Sequence, residues 1–140
     1  MAATDLLTNP PIAHSRREGR VLWTAQIVLA LFIGIASGLP KLFGEANAVE
    51  IFDDIDAGDW LRYLVGVLEV AGAIGLVTRR YSAAAAAGLV GVMIGAAFTQ
   101  LFVLDDPLLA LTPVALGMAF GAIALRRGFA RSTMRATARG

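Results

Sequence analysis

The chain of 140 residues is 57% hydrophobic, with a mean hydropathy of +0.69. Soluble domains are less apolar, at roughly 45–50%, so the composition favours a membrane protein. The net charge is only +1, there is no cysteine, and the single histidine, His14, lies in a polar N-terminal stretch. Disulfides and thiolate metal sites are excluded, and a haem or zinc site built from this chain alone is not expected. We expect no metal and no resident cofactor in the chain, and no nucleic-acid partner.

Four apolar runs follow the N-terminal stretch, and each is long enough to cross a bilayer. The predicted spans are about 21–39, 60–78, 82–104 and 108–125. The first could be taken for a signal peptide, but the three further spans favour a retained helix. We therefore predict an all-α fold, a four-helix transmembrane bundle over residues 21–125. Residues 1–20 form a polar cytoplasmic tail, and residues 126–140 form a basic cytoplasmic tail.

The segments between the spans contain residues that predict where helices end or begin. Pro40 is predicted to end the first helix, because proline lacks an N–H and clashes with the preceding turn. The 41–59 loop has apolar residues at helical spacing, which predicts a short interfacial helix. Asp106 is predicted to cap the fourth span, with Pro107 at its first position. The N-terminal tail is predicted to be poorly ordered around Pro10 and Pro11.

Basic residues are concentrated at one side of the predicted bundle. That side has 10 of the 12 lysines and arginines: Arg16, Arg17, Arg20, Arg79, Arg80, Arg126, Arg127, Arg131, Arg135 and Arg139. The other side has only Lys41 and Arg62, together with the acidic 41–59 loop. By the positive-inside rule, both termini are predicted to be cytoplasmic and the acidic loop faces outward.

Small residues recur at four-residue spacing on the faces of three spans. They are Gly34 and Gly38 in the first span, Ala84 with Gly88 and Ala87 with Gly91 and Gly95 in the third, and Gly117 with Gly121 in the fourth. Such faces let helices pack closely in lipid. Packing within the bundle is one interpretation, and the interface of a homo-oligomer is the other.

Few polar side chains lie inside or at the edges of the spans. They are Gln26, Ser37, Lys41, Arg62, Glu69, Thr99, Gln100 and Thr112. All but Gln26 belong to the outer half, and Glu69 is deepest, about 10 Å below Arg62 at helical rise. A carboxyl at this depth costs a few kcal/mol unless it is paired, protonated or facing water. Glu69 is therefore the candidate catalytic residue, whereas Gln26, Thr99 and Thr112 are expected to bond backbone carbonyls.

Three residues are the candidate ligand-binding partners of Glu69, namely Lys41, Arg62 and Gln100. Arg62 and Glu69 are seven residues apart, which places them on one helix face and lets their side chains lean toward each other or share a water or a ligand. We predict an outward-opening polar pocket with Glu69 at its floor. The alternative is a structural network, in which Lys41 or Arg62 neutralises Glu69 and Gln100 hydrogen-bonds it.

Three segments resemble the DoxX-like family. G-L-P-K-L at 38–42 resembles its G-x-x-K-L element, residues 60–76 resemble its second-helix signature G-x-L-E-x-x-G-x-x-x-L, and residues 95–101 resemble its third-helix element. The likeness covers about residues 20–125. The family's recurrent polar residues fall by position on Lys41, Glu69 and Gln100. Relatives often have a histidine in place of Gln100, so this chain lacks that titratable partner.

The resemblance implies a multi-pass protein of the bacterial inner membrane. The family is named for a small subunit of a thiosulfate:quinone oxidoreductase, and some relatives associate with superoxide dismutase and a sulfurtransferase. Three functions are open. The first is a quinone-site or redox-accessory subunit, in which Glu69 with Lys41 or Arg62 supplies a proton donor and a cofactor-carrying partner supplies the electrons. The second is a non-catalytic membrane anchor or assembly subunit, and the third is a small lipid- or isoprenoid-modifying enzyme with Glu69 as acid and base. Whether the chain is an enzyme stays open.

Overall fold

A computed structural model describes residues 13–56 and 58–137, with side chains from residue 17 to residue 128. Within these residues the chain is helical, with one π-helical segment and no β-strand. Four runs are long and apolar enough to cross a membrane: Arg17–Phe43, Gly58–Val77, Ser82–Phe102 and Pro107–Gly128. The predicted all-α fold with four membrane-spanning helices is therefore confirmed. Which side of the membrane the termini occupy stays a prediction, as does the division into membrane domain and tails.

The first run is one long helix with a π-helical insert. This helix starts four residues before the apolar run and consists of α1 (Ala13–Leu31), a π segment (Phe32–Gly38) and α2 (Leu39–Phe43). The prediction that Pro40 ends this helix is wrong. The Leu39 N–H donates to the Gly34 carbonyl, five residues back, and Leu39 keeps helical dihedral angles. A π-turn widens the helix just before Pro40, which relieves the clash that a proline ring makes in a regular α-helix.

Gly44 ends the first run instead. It adopts a left-handed conformation with φ of 68°, which glycine adopts without a Cβ penalty. The predicted short helix in the following loop is confirmed as α3 (Ala46–Asp54), which buries Ala48 and Phe52. The predicted disorder around Pro10 and Pro11 lies outside the described residues, whereas residues 13–20, which were assigned to the tail, are helical.

Three further helices complete the bundle: α4 (Gly58–Val77), α5 (Ser82–Phe102) and α6 (Pro107–Thr137). The predicted cap is confirmed, since Asp106 Oδ1 accepts hydrogen bonds from the N–H groups of Leu108 and Leu109 at 3.1 and 3.0 Å. Helix α6 continues beyond its predicted end at residue 125, so the start of the basic tail is helical.

The long helices pack side by side in the order α1, α4, α5, α6. Helix α6 lies along α5, α5 lies along α4, and α4 contacts α1, the π segment and α2. Ile33, Leu76, Leu89 and Phe120 are the largest fully buried apolar side chains of the core. The outward faces are apolar as well, with Met118 70% exposed, because these faces contact lipid rather than water.

The small residues have two different environments. A Cβ on Gly34 would lie 3.1 Å from the Ala73 Cβ, and a Cβ on Gly117 would lie 3.3 Å from the Met93 Cβ. These glycines of the first and fourth spans therefore allow close packing within the chain. No heavy atom lies within 4 Å of a Cβ built on Gly88, Gly91 or Gly95 of α5. A homo-oligomer interface on this open face of α5 stays a prediction.

Candidate functional site: a buried Lys–Glu–Ser cluster

Glu69 lies on α4 with 2% of its surface exposed, and two side chains from the first helical run meet it. Lys41 Nζ is 2.9 Å from Glu69 Oε2. The Ser37 hydroxyl lies 3.1 Å from both carboxylate oxygens and accepts a hydrogen bond from Lys41 Nζ at 2.7 Å. We call these three residues the Glu69 cluster. The carboxylate is thus paired with a cation and a hydroxyl, which is how a buried charge is kept in a membrane interior.

Glycines bring the two helices close enough for these short contacts. A Cβ on Gly38 would lie 3.2 Å from the Glu69 Cβ and 3.3 Å from the Gly66 carbonyl oxygen, and a Cβ on Gly66 would lie 3.1 Å from the Lys41 Cβ. The backbones of the first run and α4 therefore approach each other at the height of the cluster. Larger residues at these positions would separate Lys41 from Glu69.

Ser37 was missed as a site residue, although the sequence shows it among the few polar residues of the spans. It lies in the π segment, and such segments are frequent at functional sites. Its spacing from Lys41 could have identified it as a site residue. Ser37 precedes Lys41 by four residues, so the two side chains lie one above the other on one helix face. Lys41 Nζ also approaches the Ser37 carbonyl oxygen, at 3.3 Å.

Arg62 does not pair with Glu69, so the expectation that the two lean toward each other is wrong. Its Nη2 lies 2.6 Å from Asp59 Oδ1, its Nη1 donates to the Lys41 carbonyl oxygen, and its guanidinium lies 4.4 Å from the centre of the Tyr63 ring. Lys41 is near the C-terminal end of α2, where carbonyl groups lack helical partners. Arg62 therefore caps α2 and holds the backbone of Lys41, while the Lys41 side chain turns to Glu69.

Gln100 stays apart from the Glu69 cluster. No hydrogen bond joins it to Glu69 within the described residues, and its side-chain oxygen Oε1 is buried without a hydrogen-bond partner among them. The structural alternative predicted two contacts of Glu69. The ion pair with Lys41 is present. The hydrogen bond from Gln100 is absent among the described residues, so that part of the prediction is wrong. The assignments of Glu69 as catalytic and of Lys41, Arg62 and Gln100 as ligand-binding stay predictions.

A second polar cluster joins three helices at the other end of the bundle. Gln26 of α1 is fully buried, and its Nε2 donates to the Leu76 carbonyl oxygen of α4 at 2.9 Å. Its Oε1 accepts a hydrogen bond from Arg127 Nε of α6 at 3.0 Å. The expected backbone bond of Gln26 is thus confirmed, as is that of Thr99, which donates to the Gly95 carbonyl at 3.1 Å. The exposed Thr112 makes no such bond within the described residues.

The comparison with protein families agrees with this helical frame. The sequence model of the DoxX-like family matches residues 24–125, which is most of the chain. The chain belongs to the DoxX-like family. The match covers most of the first and fourth apolar runs, all of the second and third, and every residue of the Glu69 cluster. No curated protein and no solved structure is detectably similar to this DoxX-like chain.

Membership in the family supports a multi-pass membrane protein, in agreement with the four apolar helices. Of the three positions that the sequence resemblance marks, Lys41 and Glu69 are in contact and Gln100 is separate. The Glu69 cluster of this DoxX-like protein thus combines one ammonium group, one carboxylate and one hydroxyl. These groups can hold an acceptor oxygen by hydrogen bonds, stabilise negative charge on it and exchange a proton with it.

Proposed function

We propose that this DoxX-like protein is a quinone-binding, redox-accessory membrane subunit whose site is the Glu69 cluster. One observation supports the proposal most. A carboxylate and an ammonium group lie 2.9 Å apart inside a helix bundle, with the Glu69 side chain 3% exposed and the Lys41 side chain 18% exposed. Lys41 is thus the member of the pair that a ligand entering from outside the bundle would meet first.

The pair suits a quinone carbonyl for electrostatic reasons. Reduction of a quinone places negative charge on its oxygen atoms, and an ammonium group in a region of low dielectric stabilises that charge strongly. In the proposed site Lys41 donates a hydrogen bond to the carbonyl oxygen and then transfers a proton to it. Glu69 and Ser37 hold the lysine side chain in place, and Lys41 regains its proton from water at its exposed side.

The electrons come from outside this chain. Reduction of a quinone to a quinol consumes two electrons and two protons. Lys41 supplies the proton for one quinone oxygen, water supplies the proton for the other, and none of Lys41, Glu69 and Ser37 supplies electrons. A partner protein with a flavin, haem or iron–sulfur cofactor supplies both electrons in this proposal. The bacterial inner membrane, where respiratory quinones are dissolved, is the proposed location.

The experiment uses the two tryptophans as internal reporters. Trp60 lies in the first turn of α4, nine residues before Glu69 and about 14 Å from it along the helix axis. Trp23 lies at the other end of the bundle beside Arg79. The protein in lipid nanodiscs is titrated with a short-chain ubiquinone, and tryptophan fluorescence is measured. We expect saturable quenching in Trp23→Phe, which keeps Trp60, and much weaker quenching in Trp60→Phe.

The control variant is Glu69→Gln in the Trp23→Phe background. It removes the charge of the carboxylate but keeps its size, so the saturable quenching should weaken at least tenfold. Equal, non-saturable quenching of both tryptophans would show that the quinone only dissolves in the lipid, and it would contradict the proposal.

A second candidate function, a non-catalytic anchor or assembly subunit, is favoured by a different observation. Arg62 and Glu69, the two most buried charges of the described residues, already have partners within the chain. Such a network needs no ligand and fixes helix packing by itself. Purification from the native membrane separates the two functions: a cofactor-carrying partner favours the redox subunit, and a stable complex without any cofactor favours the anchor.

A further inference from the structure

A groove opens between the first and last helices of the bundle, far from the Glu69 cluster. Helix α1 packs against α4 and helix α6 packs against α5, which leaves a space of about 630 Å³ between α1 and α6. Its walls include three alanines, Ala25, Ala119 and Ala122, and its remaining apolar lining is aliphatic. The alanines leave the groove wide because their side chains do not reach across it.

The mouth of the groove is charged, unlike its walls. Arg17 of α1 and Arg126 of α6 line this end from opposite sides, together with Glu18. Both arginines are exposed, and neither forms an ion pair or a hydrogen bond with the residues that the structure describes. The neighbouring Arg127 differs, since it donates to Gln26 in the bundle interior. The two arginines outnumber the one glutamate, so the mouth is positively charged.

We propose that the α1–α6 groove binds an anionic phospholipid. One acyl chain lies along the apolar walls, and the phosphate lies between Arg17 and Arg126 at the mouth. Two features support this occupant: an apolar channel that continues the lipid phase, and a pair of unpaired cations where the headgroup would lie. Basic pockets between transmembrane helices are a known mode of recognition of acidic lipid headgroups.

The test measures lipid binding to the intact, full-length protein in detergent by native mass spectrometry. Phosphatidylglycerol is compared with phosphatidylcholine of the same acyl chains. We expect the first bound phosphatidylglycerol to be preferred over phosphatidylcholine, and each of Arg17→Gln and Arg126→Gln to weaken its binding about fivefold. The matched control is Arg20→Gln, which removes an exposed charge of α1 that does not line the groove.

A second pair of variants tests the walls without changing any charge. Ala122→Phe fills the groove and should reduce phosphatidylglycerol binding at least fivefold. Ala115→Phe adds the same side chain at an exposed position of α6 outside the groove and should leave binding unchanged. This pair keeps the proposal testable if an arginine variant fails to fold.

Four results would overturn the proposal. The first is equal binding of the two lipids to the unmodified protein. The second is an equal loss of phosphatidylglycerol binding in Arg20→Gln and Arg126→Gln, which would indicate a general attraction of the lipid to the positive charge of this end. The third is a different occupant of the groove. A dimer that Ala122→Phe dissociates would indicate a second copy, and a several-fold gain in lipid binding on deletion of residues 2–11 would indicate the N-terminal segment. The fourth is displacement of phosphatidylglycerol by an equal concentration of glycerol 3-phosphate, which would show that the acyl chain, and therefore the groove, contributes nothing to binding.

Discussion

Lys41 and Glu69 form an ion pair of 2.9 Å that joins the end of the first helical run to the middle of α4. The two residues are 28 positions apart, and between them lie two left-handed glycines, Gly44 and Gly58, a short helix and the first turns of α4. The pair therefore couples the surface-facing end of one helix to the interior of another. The pair holds the first run against α4, and the same two groups belong to the proposed quinone site.

Replacement of Glu69 by glutamine should impair function more than folding. The glutamine side chain keeps two hydrogen-bonding groups for Lys41 and Ser37, but the ammonium group loses its counter-charge. Because Lys41 is partly exposed and its flexible side chain can turn toward water, we expect a loss of only about 1–3 kcal/mol of unfolding free energy. Quinone binding and complementation in the native host should be lost. Thermal unfolding in detergent and complementation are the measurements.

The double variant Lys41→Met with Glu69→Gln gives the matched control. It removes both charges, so it should recover much of the stability that Glu69→Gln loses, because no uncompensated charge remains. Quinone binding and complementation in the native host should not return. Full complementation by either variant would show that the pair acts only in packing.

Ser37→Ala should weaken the Glu69 cluster without removing a charge. The hydroxyl lies between the ammonium and the carboxylate, so its loss frees Lys41 to move. We expect a stability loss of about 0.5–1.5 kcal/mol and a several-fold weaker binding of quinone. Ser82→Ala is the control, because Ser82 is a buried serine at the other end of the bundle. Equal effects of the two substitutions on quinone binding would remove Ser37 from the site.

Gly38→Ala and Gly91→Ala should have opposite effects. A Cβ at Gly38 would lie 2.9 Å from Val70 Cγ2 and 3.3 Å from the Gly66 carbonyl oxygen, so the helices must separate at a cost of about 1–3 kcal/mol. A Cβ at Gly91 meets no atom within 4 Å, and alanine favours the helix by up to about 1 kcal/mol. Thermal unfolding in detergent measures both. Destabilisation by Gly91→Ala, with loss of a dimer on a sizing column, would instead place a second copy on α5.

The predicted orientation of the bundle rests on the distribution of its basic residues and can be measured directly. Alkaline phosphatase is active only outside the cytoplasm. A fusion after Asp53, in the acidic loop, should therefore be active, and fusions after Arg80 and after Gly140 should be inactive, because positively charged segments stay in the cytoplasm. The reverse pattern of activity would place the Glu69 cluster in the half of the bundle that faces the cytoplasm.

Much of this fold can be predicted from the sequence, because a lipid bilayer restricts the composition and backbone structure of every segment that crosses it. A segment that crosses a bilayer must be apolar along its whole length and must satisfy its own backbone hydrogen bonds, so four apolar runs specify four helices. The same rule makes Glu69 conspicuous, since a carboxyl in such a run needs a compensating partner. Local capping chemistry likewise predicts Asp106 at the start of α6.

The partner of Glu69 was decided only by the tertiary structure. From spacing alone Arg62 and Lys41 were equivalent candidates, but Arg62 is occupied by Asp59 and by the C-terminal end of α2. Lys41 reaches Glu69 because a π-turn carries the first helix past Pro40 and glycines let that helix approach α4. Both effects depend on how two helices meet in space. A periodic pattern in one helix records which face is polar, but not which distant side chain that face will meet.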